Sequence, residues 1–194
     1  MSGKPYKNIA VFASGSGTNA DKIFQHFKSH PQIKVNLVLC NNPKAKVIER
    51  AHTFHIPSLV FSKQLFYETD KILQTLELYE IDFIALAGFL WLVPSTLIKT
   101  YPKKIVNIHP ALLPKYGGKG MFGMNVHKAV VANNESISGL TIHFVNEMYD
   151  EGSIIFQCKC ELHATDTPEM VAEKILKLEH QHYPRVIEQL VLKS

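Results

Sequence analysis

"NIAVFASGSGTNADKIFQHF", residues 8–27, changes its period partway along. Its first part, "NIAVFA", is an unbroken apolar run of strand length, and its last carries Ala20, Ile23, Phe24 and Phe27 at helical spacing. Between them "SGSGTN", Ser14 to Asn19, places glycines where a strand must turn tightly into a helix. Outward from this stretch the unit recurs. "VNLVLC" is a second buried strand, and Val47, Ile48 and Ala51 in "NNPKAKVIERAHTF" mark the helix stripe that follows it. "IPSLVF" reads as a short third strand, Ile72, Leu73 and Leu76 place a helix in the sixties and seventies, and "DFIALAG" and "KIVNIH" are the fourth and fifth strands. Strands alternating with helices imply right-handed crossovers and a sheet covered on both faces, a doubly wound, mostly parallel α/β fold.

The second half changes character. "ISGLTIHFV" and "SIIFQCKCEL", joined by the acidic "NEMYDEG", read as a C-terminal β-hairpin. A long helix then begins with Thr167 as cap and Pro168 at the first helical position. Pro184 is expected to kink or divide it before Val186, Ile187 and Leu190 continue it. With no repeat, low-complexity tract or linker, residues 1–194 are expected to form a single domain.

Composition narrows the function. At 46% hydrophobic and 20% charged the chain is ordinary globular material, which excludes disorder. The net charge of +4 is mild and the 21 Lys and Arg are scattered, so an anionic small molecule is a more economical partner than nucleic acid. Cys40, Cys158 and Cys160 have no framework spacing, and the last two share one strand face; they read as free thiols of a reducing compartment. No metal is expected, because no Cys or His cluster with ligand spacing accompanies them. The apolar run in "MSGKPYKNIAVFASGSG" is too short for a signal peptide and no stretch approaches a membrane span, so a cytoplasmic location and no membrane partner are expected.

Three places carry residues suited to chemistry. "SGSGTN" closes a strand and opens a helix, where free N–H groups and the helix dipole suit a phosphate, and a side chain at Gly17 would fill the space a phosphate needs. The dinucleotide spacing is absent, since Asp21 stands three places after Thr18 and "CNNPKAK" has no acidic residue. The stretch therefore reads as a cradle for one phosphate monoester, or as a tight turn without a ligand. In "IVNIHPALLPKYGGKG", Asn107 and His109 share one strand face and Pro110 ends the pairing. An amide and an imidazole there can handle charge developing on one atom, or they are a polar strand terminus. Asp150 or Glu151 in the acidic turn can reach the same end of the sheet, where a carboxylate favours an imidazolium able to donate a proton or bind an oxyanion. Trp91, with Leu90, Leu92 and Val93, is either helix packing or the wall of a pocket for a flat heterocycle. His127, His143, His180 and His182 read as surface or packing residues.

"SGSGTN", "LAGFL", "NIHPALLPKY" and "DEGSII", in this order, resemble the phosphoribosylglycinamide formyltransferase family over nearly the whole chain. Asn, His and a later Asp are shared more widely among enzymes that transfer formyl from 10-formyltetrahydrofolate. The resemblance implies a Rossmann-like formyltransferase fold and formyl transfer to the amine of 5-phosphoribosylglycinamide in purine biosynthesis. It makes Gly17, Thr18 and Asn19 the phosphate cradle and Glu179 a ribose contact. Asn107 and His109 would hold the oxyanion and handle protons, with Asp150 keeping His109 charged. Leu90, Trp91, Leu92 and Val93, with Asn107 and the turn Asn146, Glu147, Met148, Tyr149 and Asp150, would line the folate pocket. The tetrahydrofolate species is then a consumed co-substrate, the partners are small molecules, and a homodimer remains open.

Two departures from the family stand out. "SKQLFYE" and Trp91 stand where the bacterial form carries arginines, and "YGGKGMFGMNVHKAV" is longer and richer in glycine, which suggests a mobile loop over the acceptor site. His127 matches the family's histidine at the start of the next helix, with no role assigned. The competing functions are formylation of methionyl-tRNA or an amino sugar nucleotide, whose tRNA enzyme adds a C-terminal domain, and a non-catalytic nucleotide-binding module.

Overall fold

The structure, a computed structural model, describes residues 6–193; the first five residues of the N-terminal stretch and Ser194 lie outside the described residues. Strands β1 (Lys7–Ala13), β2 (Ile33–Cys40), β3 (Ser58–Val60), β4 (Phe83–Leu86), β5 (Ile105–His109), β6 (Ile137–Phe144) and β7 (Ile154–Glu161) form one sheet in the order β3-β2-β1-β4-β5-β6-β7. The first five run parallel; β6 is antiparallel to β5, and β7 to β6. The chain winds outward from β1 through β2 and β3, then returns to the other side of β1 for β4 and β5. Where that winding reverses, between β1 and β4, a crevice opens beyond the carboxyl ends of the strands.

Helices α1 (Thr18–Phe27), α2 (Val47–Thr53), α3 (Lys63–Tyr67), α4 (Lys71–Leu78), α5 (Ser95–Thr100), α6 (Met124–Ala132) and α7 (Pro168–Lys193) cover the sheet. Alternation along β1 divides the core: Ile9, Val11 and Ala13 pack with residues of α1, α2, α6 and α7, while Ala10 and Phe12 pack with residues of α3, α4 and α5. Both faces of β1 are therefore dry, which is why its sequence is an unbroken apolar run.

Toward β5 and β6 the second face is different. Val106, Ile108, Leu140 and Ile142 point to the α6–α7 side, so Asn107, His109, Thr141 and His143 point to the opposite one. The loops 110–123 and 145–153 lie there, and this stretch of the sheet carries polar side chains.

Two expectations change. The helix of the sixties and seventies is two helices, α3 and α4. Between them the Thr69 hydroxyl donates to the Leu65 carbonyl (2.9 Å) and accepts from the Lys71 N–H (3.2 Å), replacing the backbone ladder. Nor does Pro184 divide α7, which runs unbroken from Pro168 to Lys193. Tyr183 beside it is fully buried and donates to the carbonyls of Leu86 (2.8 Å) and Val106 (3.2 Å), so packing and hydrogen bonding hold the helix across the missing N–H. The Thr167 cap is as expected, accepting from the Met170 N–H at 3.3 Å. Cys40, Cys158 and Cys160 are free thiols. Among the described residues no helix is long and apolar enough to cross a membrane.

Candidate active site

A cleft of about 690 Å³ lies beyond the carboxyl ends of β1, β4 and β5. It is lined by Ser14–Asn19 and Glu179, by the polar group Asn107, His109, His127, His143 and Asp150, and by Leu90–Val93, Met148 and Tyr149, with the Leu90 N–H donating to the Ser14 hydroxyl (3.0 Å) where the glycine turn meets the apolar wall. Asn146 and Glu147, expected in the folate wall, do not line it: the Asn146 carboxamide oxygen accepts from the Met148 N–H (3.1 Å) and shapes the turn, and Glu147 faces solvent.

His109 ends β5 and is 3% exposed. Its Nε2–H donates to the Tyr116 carbonyl (2.7 Å), and its Nδ1 lies 3.5 Å from Asp150 Oδ2. Tyr116 and Asp150 both adopt left-handed backbone, each with φ of 58°. A non-glycine residue held there carries ~1–3 kcal/mol of strain, and here the strained residues are the two that aim oxygen atoms at one imidazole. Burial pushes the His109 imidazole below its ordinary range, against the pull of Asp150 and the Tyr116 carbonyl toward the protonated form. Burial and Asp150 thus pull this imidazole in opposite directions, burial more strongly, and the two acceptors flanking the ring stabilise an imidazolium once a proton arrives.

Asp150 itself is ionised: burial alone would raise its carboxyl, but His143, His109 and the Gly118 N–H (3.0 Å) together hold it below the usual carboxylate range. The Asn107 amide donates to His143 Nε2 (3.2 Å) and Asp150 Oδ1 (3.4 Å), while His143 Nδ1–H donates to the Phe144 carbonyl (2.8 Å). His143, read from the sequence as a packing residue, thus belongs to the site. Asn107 faces it across the β5–β6 ladder, and the ladder between β6 and β7 slips register between Ile142 and His143. Such an irregularity re-aims a side chain. Gly152 permits the close return, since a Cβ there would lie 1.6 Å from the Phe144 carbonyl oxygen. Thr141 supports the segment after His109 by donating to the Ala111 carbonyl (2.7 Å) and accepting from the Leu113 N–H (3.0 Å).

At the glycine turn, Gly17 has φ of +70° and caps α1. A Cβ there would lie 2.7 Å from Val47 Cβ and 2.9 Å from its Cα. The glycine is therefore required by the packing of α2, quite apart from any ligand beside the turn. Gly15 has open space around it. The Asn19 amide donates to Glu179 Oε2 (2.7 Å), and its Oδ1 is buried without a partner among the described residues. Burial pushes the Glu179 carboxyl up to about 7, only partly offset by Asn19.

The apolar end joins pocket to core. Trp91 lines the cleft and also packs against Phe61, Phe66 and Phe89 with ring centroids 5.9, 5.9 and 6.2 Å away. Tyr67 donates to the Leu92 carbonyl (3.0 Å), and Lys63 Nζ lies 5.8 Å from the Trp91 ring. Leu90, Met148 and Tyr149 are exposed at the mouth, an apolar rim without cover.

A doubly wound sheet with a switch-point cleft lined by a polar cluster and an apolar wall has the make-up of a small-molecule site. A model of the formyl transferase family matches residues 7–187. The phosphoribosylglycinamide formyltransferase of Bacillus subtilis is 40% identical over 190 residues, covering 95% of each chain. The chloroplastic enzyme of that name from Arabidopsis thaliana is 42% identical over 187 residues, 93% of this chain, which spans only 64% of that relative's length. The crystal structure of glycinamide ribonucleotide transformylase 1 from Geobacillus kaustophilus superimposes with a TM-score of 0.86 at 39% identity, over 96% of this chain and 99% of that one. The chain belongs to the formyl transferase family.

Proposed function

We propose that the protein transfers a formyl group from 10-formyltetrahydrofolate to the primary amine of 5-phosphoribosylglycinamide, a step of purine biosynthesis. The observation that carries this reading is that a helix-start turn, the group His109, Asn107 and Asp150, and an apolar wall all line one cleft. Backbone N–H groups at Gly17, Thr18 and Asn19 suit a phosphate, and Glu179 accepts from ribose hydroxyls. Leu90, Trp91, Leu92 and Val93, facing Met148 and Tyr149, suit the flat pterin of the co-substrate.

The amine attacks the formyl carbon, forming a C–N bond and a tetrahedral oxyanion. His109, neutral beforehand with its hydrogen on Nε2 toward the Tyr116 carbonyl, takes the amine proton on Nδ1, and the Asp150 carboxylate beside that nitrogen stabilises the imidazolium as it forms. The Asn107 amide and that imidazolium then face the oxyanion. As the bond to the tetrahydrofolate nitrogen breaks, that nitrogen leaves with the proton from His109, which returns to its neutral form.

The test is a panel of acceptors incubated with 10-formyltetrahydrofolate: phosphoribosylglycinamide, methionyl-tRNA and an amino sugar nucleotide. Turnover is expected with the first; equal or better turnover of either other acceptor would overturn the assignment.

A further inference from the structure

His127 stands in the first turn of α6 and is 6% exposed, yet its Nδ1 is sealed from solvent and has no hydrogen-bond partner among the described residues. A buried polar atom left unpaired destabilises the free protein and calls for an explanation. The ring also borders the cleft. With Nδ1 closed off, the edge that reaches the cleft is the opposite one, carrying Nε2. Burial, helped by the His109 ring, holds the imidazole below its ordinary range and favours the neutral form. Neutral imidazole has one N–H, and placing it on Nε2 points a donor into the cleft.

Its side of the sheet identifies what it meets. Val126 and Val130 of α6 share their core with Ala20 of α1 and with Val171 and Ile175 of α7, the helices that carry the glycine turn and Glu179. Leu86, Phe89 and Val93, toward the apolar end, belong to the other core. His127 therefore stands on the acceptor side, near enough to His109 for the two rings to influence each other. Between a phosphate and ribose at Asn19 and Glu179 and a reacting amine at His109 lies the amide of the acceptor, whose strongest hydrogen-bond acceptor is its carbonyl oxygen.

We propose that His127 is a specificity residue that donates from Nε2 to the amide carbonyl of the phosphoribosylglycinamide acceptor. The inference rests on the acceptor proposed above. One hydrogen bond between neutral groups corresponds to roughly a three- to tenfold change in affinity. His127→Leu should raise KM for the acceptor by roughly that factor, leave KM for 10-formyltetrahydrofolate unchanged, and melt no lower than wild type because the unpaired nitrogen is gone. His127→Gln, whose amide nitrogen reaches the place of Nε2, should restore most of the acceptor KM. In wild type, with no substitution, the acceptor alone should shift the His127 Nε2 resonance in ¹⁵N spectra. An unchanged acceptor KM in His127→Leu, equal rises for both substrates, or a silent Nε2 resonance overturns the proposal while leaving the reaction assignment intact. A wild type inactive toward phosphoribosylglycinamide overturns both.

Discussion

Glu179 joins stability to binding, and its replacement by glutamine separates them. The carboxyl is 7% exposed, bonded to the Asn19 amide, and pushed from 4.5 up to about 7 by burial. Between those two values the native state keeps a proton that the unfolded chain has released. Stability therefore falls as pH rises through this window, and the whole penalty is present above pH 7. At about 1.4 kcal/mol per pH unit the interval is worth about 3 kcal/mol. A glutamine side chain mimics the protonated form and can still accept from Asn19, so Glu179→Gln should be more stable than wild type. The advantage should grow by about 2–3 kcal/mol between pH 5 and pH 8, which for a chain of this length is roughly 5–10 °C in Tm. Urea titrations of both proteins across that range measure it. Acceptor KM should move the other way, rising roughly tenfold at pH 8, because a carboxylate bonded to ribose hydroxyls is replaced by a neutral amide. A stability difference that is the same at pH 5 and pH 8 would refute the buried, protonated carboxyl.

Removing the carboxylate that opposes burial at His109 should lower its pKa further, so in Asp150→Asn the His109 ring resonances should titrate at lower pH than in wild type; an unmoved titration rejects the coupling. Gly17→Ala combines a left-handed φ with contact against Val47 and should lose about 2–3 kcal/mol of stability with no ligand present. Gly15→Ala, in open space on the same cleft wall, should stay within about 1 kcal/mol of wild type, so it is the substitution for probing phosphate affinity. Equal losses at the two glycines would contradict this account of the turn.

Local periodicity was enough for much of the molecule. The run "NIAVFA", the glycine turn and the spacing of Ala20, Ile23, Phe24 and Phe27 specify a strand feeding a helix, because backbone geometry alone sets periods of 2 and 3.6. The same reasoning placed Asn107 and His109 on one face at a strand end, and with the resemblance it located both walls of the cleft. What depended on contacts distant in the chain was not legible. His143 enters the site through antiparallel register with β5 and a slip beside it. Gly17 answers to Val47 of another helix. The His109 imidazole is lowered and the Glu179 carboxyl raised because folding removes water from them, a loss that outweighs the nearby Asp150 and Asn19. Sequence order specifies neighbours along a strand or a helix; burial, and with it the charge state of each group in this cleft, exists only once the sheet, loops and α7 have closed around it.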